Sequence, residues 1–187
     1  MKPDGPVFDA AMRARCSISE SNRAAVSSMI KAHYIGKWPG VCTLTLCLMR
    51  DRVPVGVIVY ALPPRETDKR YGGKTWELAR LWIADDMPKN TETFLIAASV
   101  KHIRRKRPDV DHLVSYADPS AGHAGTIYKA ANWRYDGKTD EGRKTPRFDY
   151  ACAKTGRKFG RRKHVPEGTE IVRVPRVSKY RFHYALR

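Results

Sequence analysis

The sequence predicts a mixed α/β fold: a twisted, mostly antiparallel sheet with flanking helices, followed by a basic C-terminal extension. Three observations carry that prediction. Strand-like and helix-like apolar runs alternate through the first 136 residues. The early strands sit close enough for a hairpin, whereas a helix separates the later pair, which therefore runs parallel. Hydrophobic residues make up 42% of the 187, enough for a core, while Lys and Arg outnumber Asp and Glu by 36 to 19.

Residues 18–33 read as an amphipathic helix, with Ser19 or Ser21 as cap and Ala25, Met29 and Ala32 at apolar spacing. Residues 41–49 and 54–62 are strands joined through Arg50-Asp51-Arg52-Val53, an antiparallel hairpin. Residues 63–75, rich in Pro, Gly and charge, form a loop. Residues 76–83 (WELARLWI) are a third strand by aromatic and aliphatic content. After a turn at 85–90, residues 91–107 form a helix with Phe94, Leu95, Ala98 and Ile103 on one side; its basic end suits a helix C-terminus. Residues 113–116 return as a strand parallel to the previous one, by a right-handed crossover. Asp118-Pro119-Ser120-Ala121-Gly122 is a turn, and a short helix after Gly125 carries Tyr128 and ends near Trp133. A strand that feeds polar groups into a helix N-terminus is a place where α/β proteins build sites, because unpaired N–H groups point outward there.

Residues 1–136 form one domain on this reading and residues 137–187 a separate basic extension. The extension holds 15 basic and 5 acidic side chains, a net +10 of the total +17. Phe148, Tyr150, Phe159, Tyr180, Phe182 and Tyr184 are interleaved with the bases, a mixture that suits nucleic acid, where cations meet phosphate and rings stack. Arg157, Lys158, Arg161, Arg162 and Lys163 are the candidate contacts. Residues 171–177 (IVRVPRV) form a short strand that Pro175 confines to a sheet edge. A membrane is excluded as partner: no apolar run approaches the roughly 18 residues of a spanning helix, and the first 30 residues contain no signal-peptide core. Cys16, Cys42, Cys47 and Cys152 lack metal-ligand spacing and fit a reduced, intracellular setting.

Two residues stand out before any family is considered. Arg80 lies mid-strand among Leu78, Leu81 and Trp82, where a charge needs a carboxylate partner, Asp118 being the obvious one, or an anionic ligand. Asp118 ends its strand as a general base, a metal ligand or the acceptor of its own turn.

The element order resembles that of GCN5-related N-acetyltransferases, and Thr126-Ile127-Tyr128-Lys129 with Asn132-Trp133 resembles the helix of that family whose tyrosine faces the thioester. A closer resemblance is to the Mom family of phage DNA-modification proteins. It rests on four blocks in order: His33-Tyr34-Ile35-Gly36-Lys37-Trp38-Pro39, Glu77-Leu78-Ala79-Arg80-Leu81-Trp82, Ser115-Tyr116-Ala117-Asp118, and Gly122-His123-Ala124-Gly125-Thr126-Ile127-Tyr128. The resemblance implies an acetyltransferase-like enzyme that converts adenine N6 in double-stranded DNA to a carbamoylmethyl form, protecting phage DNA from restriction in the cytoplasm of the infected bacterium. It implies catalytic roles for Tyr34, Arg80, Asp118 and Tyr128, and substrate contacts from His33, Ser115, Tyr116 and His123. The donor it implies is acetyl-CoA or a related acyl donor.

The chain departs from the acetyltransferase pattern where those enzymes hold a pyrophosphate on a glycine-rich loop. Residues 84–93 contain no glycine, and Asp85 and Asp86 would repel an anion; only Lys89, Asn90 and Thr91 at the helix start could receive one. A metal ion held by Asp118, His33 and tyrosines is conceivable without supporting spacing. The oligomeric state is open, a dimer included. The rival readings are a plain N-acetyltransferase acting on a protein or small amine, and a non-catalytic nucleic-acid-binding protein.

Overall fold

Polar and apolar residues alternate in the segment Cys16–Glu20 (β1), which pairs antiparallel with Cys42–Arg50 (β2), Ile18 standing opposite Leu48. The structure, a computed structural model, describes residues 6–159 and 165–187. The helix predicted over 18–33 is corrected: its first part is a sheet edge, and helix survives only as Ser27–Ala32 (α2). Ser19, Ser21 and Asn22 are weak helix formers, and the Asn22 Oδ1 accepts the Ala25 N–H at 2.9 Å instead. Before β1, a short helix at Ala10–Ala14 (α1) starts on Asp9, whose side chain accepts the Met12 N–H.

Asp51 and Arg52 both take left-handed conformations, as a two-residue hairpin requires, and lead β2 into Val53–Ala61 (β3). The predicted loop that follows contains a short helix, Arg65–Arg70 (α3), with Glu66 and Asp68 in its first turn. Then come Thr75–Ile83 (β4), the crossover helix Thr91–Lys106 (α4) and His112–Ala117 (β5), parallel to β4 as predicted. A 3-10 turn at Pro119–Ala121 leads to Thr126–Ala130 (α5) and Arg134–Lys138 (β6).

The basic stretch does not hold together as one extension. Phe148–Cys152 (β7), Lys158–Phe159 (β8) and Ile171–Pro175 (β9) form a small separate sheet in the order β8-β7-β9, which leaves β9 at the edge as Pro175 requires. Tyr180–Ala185 (β10) instead returns to the main sheet, whose order is β1-β2-β3-β4-β5-β10-β6. Phe182 is 1% exposed there, with Tyr180 and Tyr184 packed against the same core. Phe182 is thus a core residue and Tyr180 and Tyr184 are partly buried against the core, which corrects their expected role as stacking platforms; Phe159, at 9% exposure, is buried as well.

One face of the main sheet packs Leu46, Ile58, Tyr60, Leu78 and Leu81 against Leu95, Ile96 and Ile103 of α4. The other packs Cys47, Val57, Val59 and Trp82 against Val26, Met29 and Ile30. Two irregularities shape the centre. The β3–β4 register passes from Val59↔Arg80 to Tyr60↔Leu78, leaving Ala79 as an extra, bulged residue. Cross-strand partners share a face, so Glu77, Arg80 and Trp82 all lie on the α2 side. In addition, β4–β5 pairing ends at Leu78↔Ser115, although β4 runs on to Ile83. The two strands part beyond that point and open a cleft between their ends.

Candidate active site

Helix α2 ends at His33, whose extended backbone, followed by Gly36 at φ 62°, turns the chain across the cleft mouth. The Ile35 N–H donates to His33 Nδ1 at 3.1 Å, leaving the imidazole 9% exposed. Burial, with Arg80 and His123 nearby, lowers the His33 pKa to about 4, so the ring is neutral at neutral pH. Tyr34 is 55% exposed, and its ring stands between those of His33 (4.4 Å) and His123 (5.0 Å).

Arg80 reaches back toward that turn. Its Nε donates to the Lys37 carbonyl at 2.7 Å and its Nη1 to the Ala79 carbonyl at 2.5 Å. The predicted pairing with Asp118 is corrected. Asp118 instead accepts from Lys179 Nζ at 3.0 Å, from Ser120 Oγ at 2.6 Å and from the Ser120 N–H at 3.0 Å. Burial pushes its carboxyl up, but the bonds from Ser120 and Lys179 outweigh that and hold its pKa below the usual aspartate value. Of the three roles open to Asp118, the turn acceptor is present, joined to an ion pair. A carboxylate so well satisfied is a weak base.

The better base escaped sequence reasoning. Glu77 makes no side-chain hydrogen bond or ion pair among the described residues, and burial raises its pKa to about 6 against the pull of Arg80 and Lys179. Strict strand alternation puts residues 77 and 80 on opposite faces; the bulge at Ala79 puts them on one. Lys179 was missed as well, because nothing in its neighbourhood marks it and its partner lies 61 positions away.

Tyr128 and Ser115 meet beneath the cleft. Their hydroxyls are 2.8 Å apart, and Ser115 Oγ lies 2.9 Å from the Leu78 carbonyl, tying β4, β5 and α5 together where the strands part. Burial pushes the Tyr128 phenol up to about 12 despite the bond to Ser115, so it holds its proton at neutral pH. Ser115 is 1% exposed, held beneath the surface by these two bonds. Tyr116 is half-buried, its hydroxyl 3.0 Å from Thr67 Oγ1 of α3. Its position braces that helix.

The predicted anion seat is reshaped. The Lys89 N–H donates to the Pro6 carbonyl and its carbonyl accepts from the Phe8 N–H, both at 2.9 Å. Thr91 is fully buried, and its hydroxyl donates to the Pro88 carbonyl. Of the three predicted residues only Asn90 lines the hollow beside the helix start, which measures about 530 Å³ and also includes Arg13, Thr93 and Ala130. Asp86 is paired with Arg50 at 2.6 Å, which removes part of the repulsion predicted there. No metal is supported: no three His, Cys, Asp or Glu side chains gather among the described residues, and Asp118 is occupied by Lys179 and Ser120. No described helix is long and apolar enough to cross a membrane. Arg157 and Lys158 are exposed in the small sheet, whereas Arg161, Arg162 and Lys163 lie outside the described residues.

Comparison with known proteins converges on the same picture. The model of the Mom protein family matches residues 17–187. The methylcarbamoylase Mom of Escherichia phage Mu is 37% identical over 114 residues, covering 56% of this chain and 46% of that protein. The chain thus spans about half the length of that relative. Among solved structures, an IAA acetyltransferase from Bacillus cereus matches with a TM-score of 0.54 at 13% identity, over 91% of this chain and 99% of that one. A Bacillus subtilis acetyltransferase in complex with CoA gives 0.55 at 11%, over 91% and 97%. The Escherichia coli ribosomal-protein-S18-alanine N-acetyltransferase gives 0.55 at 11%, over 91% and 94%. At such identities these likenesses establish the GCN5-related acetyltransferase fold.

Proposed function

The chain belongs to the Mom protein family, and on that footing we propose that it is a transferase that attaches a carbamoylmethyl-type group to adenine N6 in duplex DNA. The product would shield phage DNA from restriction inside the infected bacterium. The observation that carries this reading is the convergence of His33, Tyr34, Glu77, Arg80, Asp118 and Tyr128 around the gap between β4 and β5. They come from four separate segments of the sequence. Tyr34 and Glu77 each lie close enough to Arg80, to Lys179 and to Tyr128 for proton affinities to be altered between them.

The chemistry needed is specific. Adenine N6 is an amino group conjugated to its ring and therefore a poor nucleophile. A duplex also hides its edge, so the base must be extruded at a cost of a few kcal/mol. The exposed ring of Tyr34, propped between His33 and His123, offers an extruded purine a stacking surface at the mouth. Glu77, unpaired and with its pKa near neutrality, takes the proton from N6 as that nitrogen attacks. Arg80 and Lys179 favour the ionised form of Glu77 before that transfer, and the negative charge then passes to the departing group. Tyr128 keeps a proton within the same region for a departing group.

A donor of the acyl-CoA class, as in the CoA-bound structural neighbours, fits the hollow beside α4. There Arg13, Asn90 and Thr93 would hold its anionic end against Asp9 of the same lining, and when bound it would supply an acyl unit with its thiolate as leaving group, the amide nitrogen of a carbamoylmethyl product coming from a second, nitrogen-bearing reactant.

The test is mass analysis of nucleosides from cells that express the chain. A new deoxyadenosine species supports the proposal. Unmodified nucleosides together with acetylated amines would point to a plain N-acetyltransferase. Unmodified DNA bound in a salt-dependent manner would point to a binding protein alone.

A further inference from the structure

The small sheet β8-β7-β9 contributes no residue to either core cluster, yet it keeps Tyr150, Ile171 and Val172 at least 40% exposed. Its register defines its faces. Tyr150 lies opposite both Arg173 and Phe159, and Cys152 opposite Ile171. Cross-strand partners project to the same side, so Phe148, Tyr150, Phe159, Ile171 and Arg173 share one face. On that face the Arg173 guanidinium lies 4.5 Å from the centre of the Phe148 ring.

The cations of this region fall into two groups. Near the base of the sheet they are neutralised: Arg143 and Arg147 bind Asp140, while Arg176 and Lys158 bind Asp149. Lys154 and Arg157, in the connection between β7 and β8, and Arg173, in the middle of β9, make no ion pair among the described residues. The separation leaves uncompensated positive charge beside the exposed Tyr150 ring, with Phe148 partly buried and Phe159 buried beneath it.

The base of the sheet is built into the cleft wall. Only three residues separate the end of β9 from Lys179, a span of four residue steps or at most about 14 Å. Lys179 binds Asp118, while its backbone N–H donates to Thr139 Oγ1 at 3.1 Å and its carbonyl accepts the Thr139 N–H at 2.9 Å. Ser178 adds a bond to Asp140 at 3.1 Å.

We infer that the Phe148–Tyr150–Arg173 face of the small sheet is the surface on which the duplex docks, with Arg157 and Arg173 on phosphates and Tyr150 against the groove. The inference rests on duplex DNA being the substrate, and it specifies where the duplex lies. The major groove is wide enough for a β-ribbon, and paired cations beside aromatics supply both phosphate affinity and a fit to the groove. A duplex seated there lies within a few residues' reach of the cleft.

The experiment is fluorescence anisotropy of a labelled duplex with the full chain, across a salt series. Arg157→Ala/Arg173→Ala should weaken binding at least tenfold. It should also reduce the slope of log affinity against log salt by about 2, since each lost phosphate contact removes roughly 0.9. Tyr150→Ala should weaken binding with the slope intact, and Lys101→Ala, exposed on α4, should leave both unchanged. Circular dichroism spectra matching those of the unsubstituted chain confirm that the variants fold. Binding and slope unaltered by the double substitution overturn the assignment, as does equal capture of the chain by anionic vesicles through the same residues. Deoxyadenosine modification is scored separately. If the double variant binds normally while modification proceeds, the docking face is wrong and the activity stands; if binding falls as stated but modification never occurs, the reverse holds.

Discussion

The Lys179 ammonium lies 3.0 Å from Asp118 Oδ2, a bond between the segment that leads into β10 and the strand end beside the cleft. With the two bonds from Ser120 it settles the environment of Asp118, and it relieves Arg80 of the partner role that spacing suggested. The Lys179 side chain is 41% exposed and that of Asp118 15%, so the pair is worth at most about 1 kcal/mol of stability. Its value is positional.

Asp118→Ala and Lys179→Ala should therefore be non-additive. Each lowers the yield of modified deoxyadenosine, and the double variant is no worse than the more damaging single one, because both remove the same contact. Fully multiplicative losses would mean that the two residues act separately.

Glu77→Gln should lower turnover by about 10² to 10⁴ if Glu77 is the proton acceptor. It should also stabilise the fold at neutral pH. The folded pKa of about 6 lies above the ordinary 4.5, so burying the ionised form costs stability. That cost is absent below pH 4.5, grows as pH rises through the interval, and reaches about 1 to 2 kcal/mol above it. Urea midpoints of the two proteins should coincide at low pH and diverge by pH 7. A less stable Gln variant at pH 7 would contradict the burial of an unpaired carboxylate.

His33 shifts in the opposite sense. Its folded pKa of about 4 lies below the ordinary 6.5, so the unfolded chain takes up the proton first as pH falls. The stability contributed by the neutral ring is complete above pH 6.5 and is lost progressively toward pH 4. His33→Gln should therefore become relatively more stable than the parent chain as pH falls, by about 2 to 3 kcal/mol over the whole interval. A pH-independent gap would show that the imidazole titrates normally.

Gly125→Ala should cost at least about 1 to 3 kcal/mol and abolish modification. Gly125 has φ 78°, and an added Cβ would lie 2.2 Å from the Phe182 ring. The clash would push α5, and with it Tyr128, away from the sheet. Thermal unfolding and nucleoside analysis would both register it.

Local pattern made much of this legible. The β2–β3 hairpin, β4, the crossover helix α4 and the parallel return of β5 all follow from apolar periodicity and turn residues close in sequence. His33, Tyr34, Arg80 and Tyr128 likewise converge as the family blocks imply. What stayed hidden depends on distant pairing. Residues 16–20 become a strand because β2 offers them an edge, and β10 reaches the sheet because β5 and β6 leave a gap. The position of Glu77 beside Arg80 depends on one bulged residue that no spacing announces. Lys179 was one cation among many until the strand after it found its place.

Because β10 fills the gap between β5 and β6, neither of those neighbours is flanked on that side until residues 180–185 have emerged from the ribosome. The growing chain can assemble the β2–β3–β4 hairpins early, but Gly125 and Tyr128 must wait for Phe182 to pack beside them. Such a late, long-range closure makes folding slow, and it delays a competent cleft until the small basic sheet has also been synthesised. On the proposed function, a nascent polypeptide would thus complete its cleft only after the surface assigned to the duplex had been made.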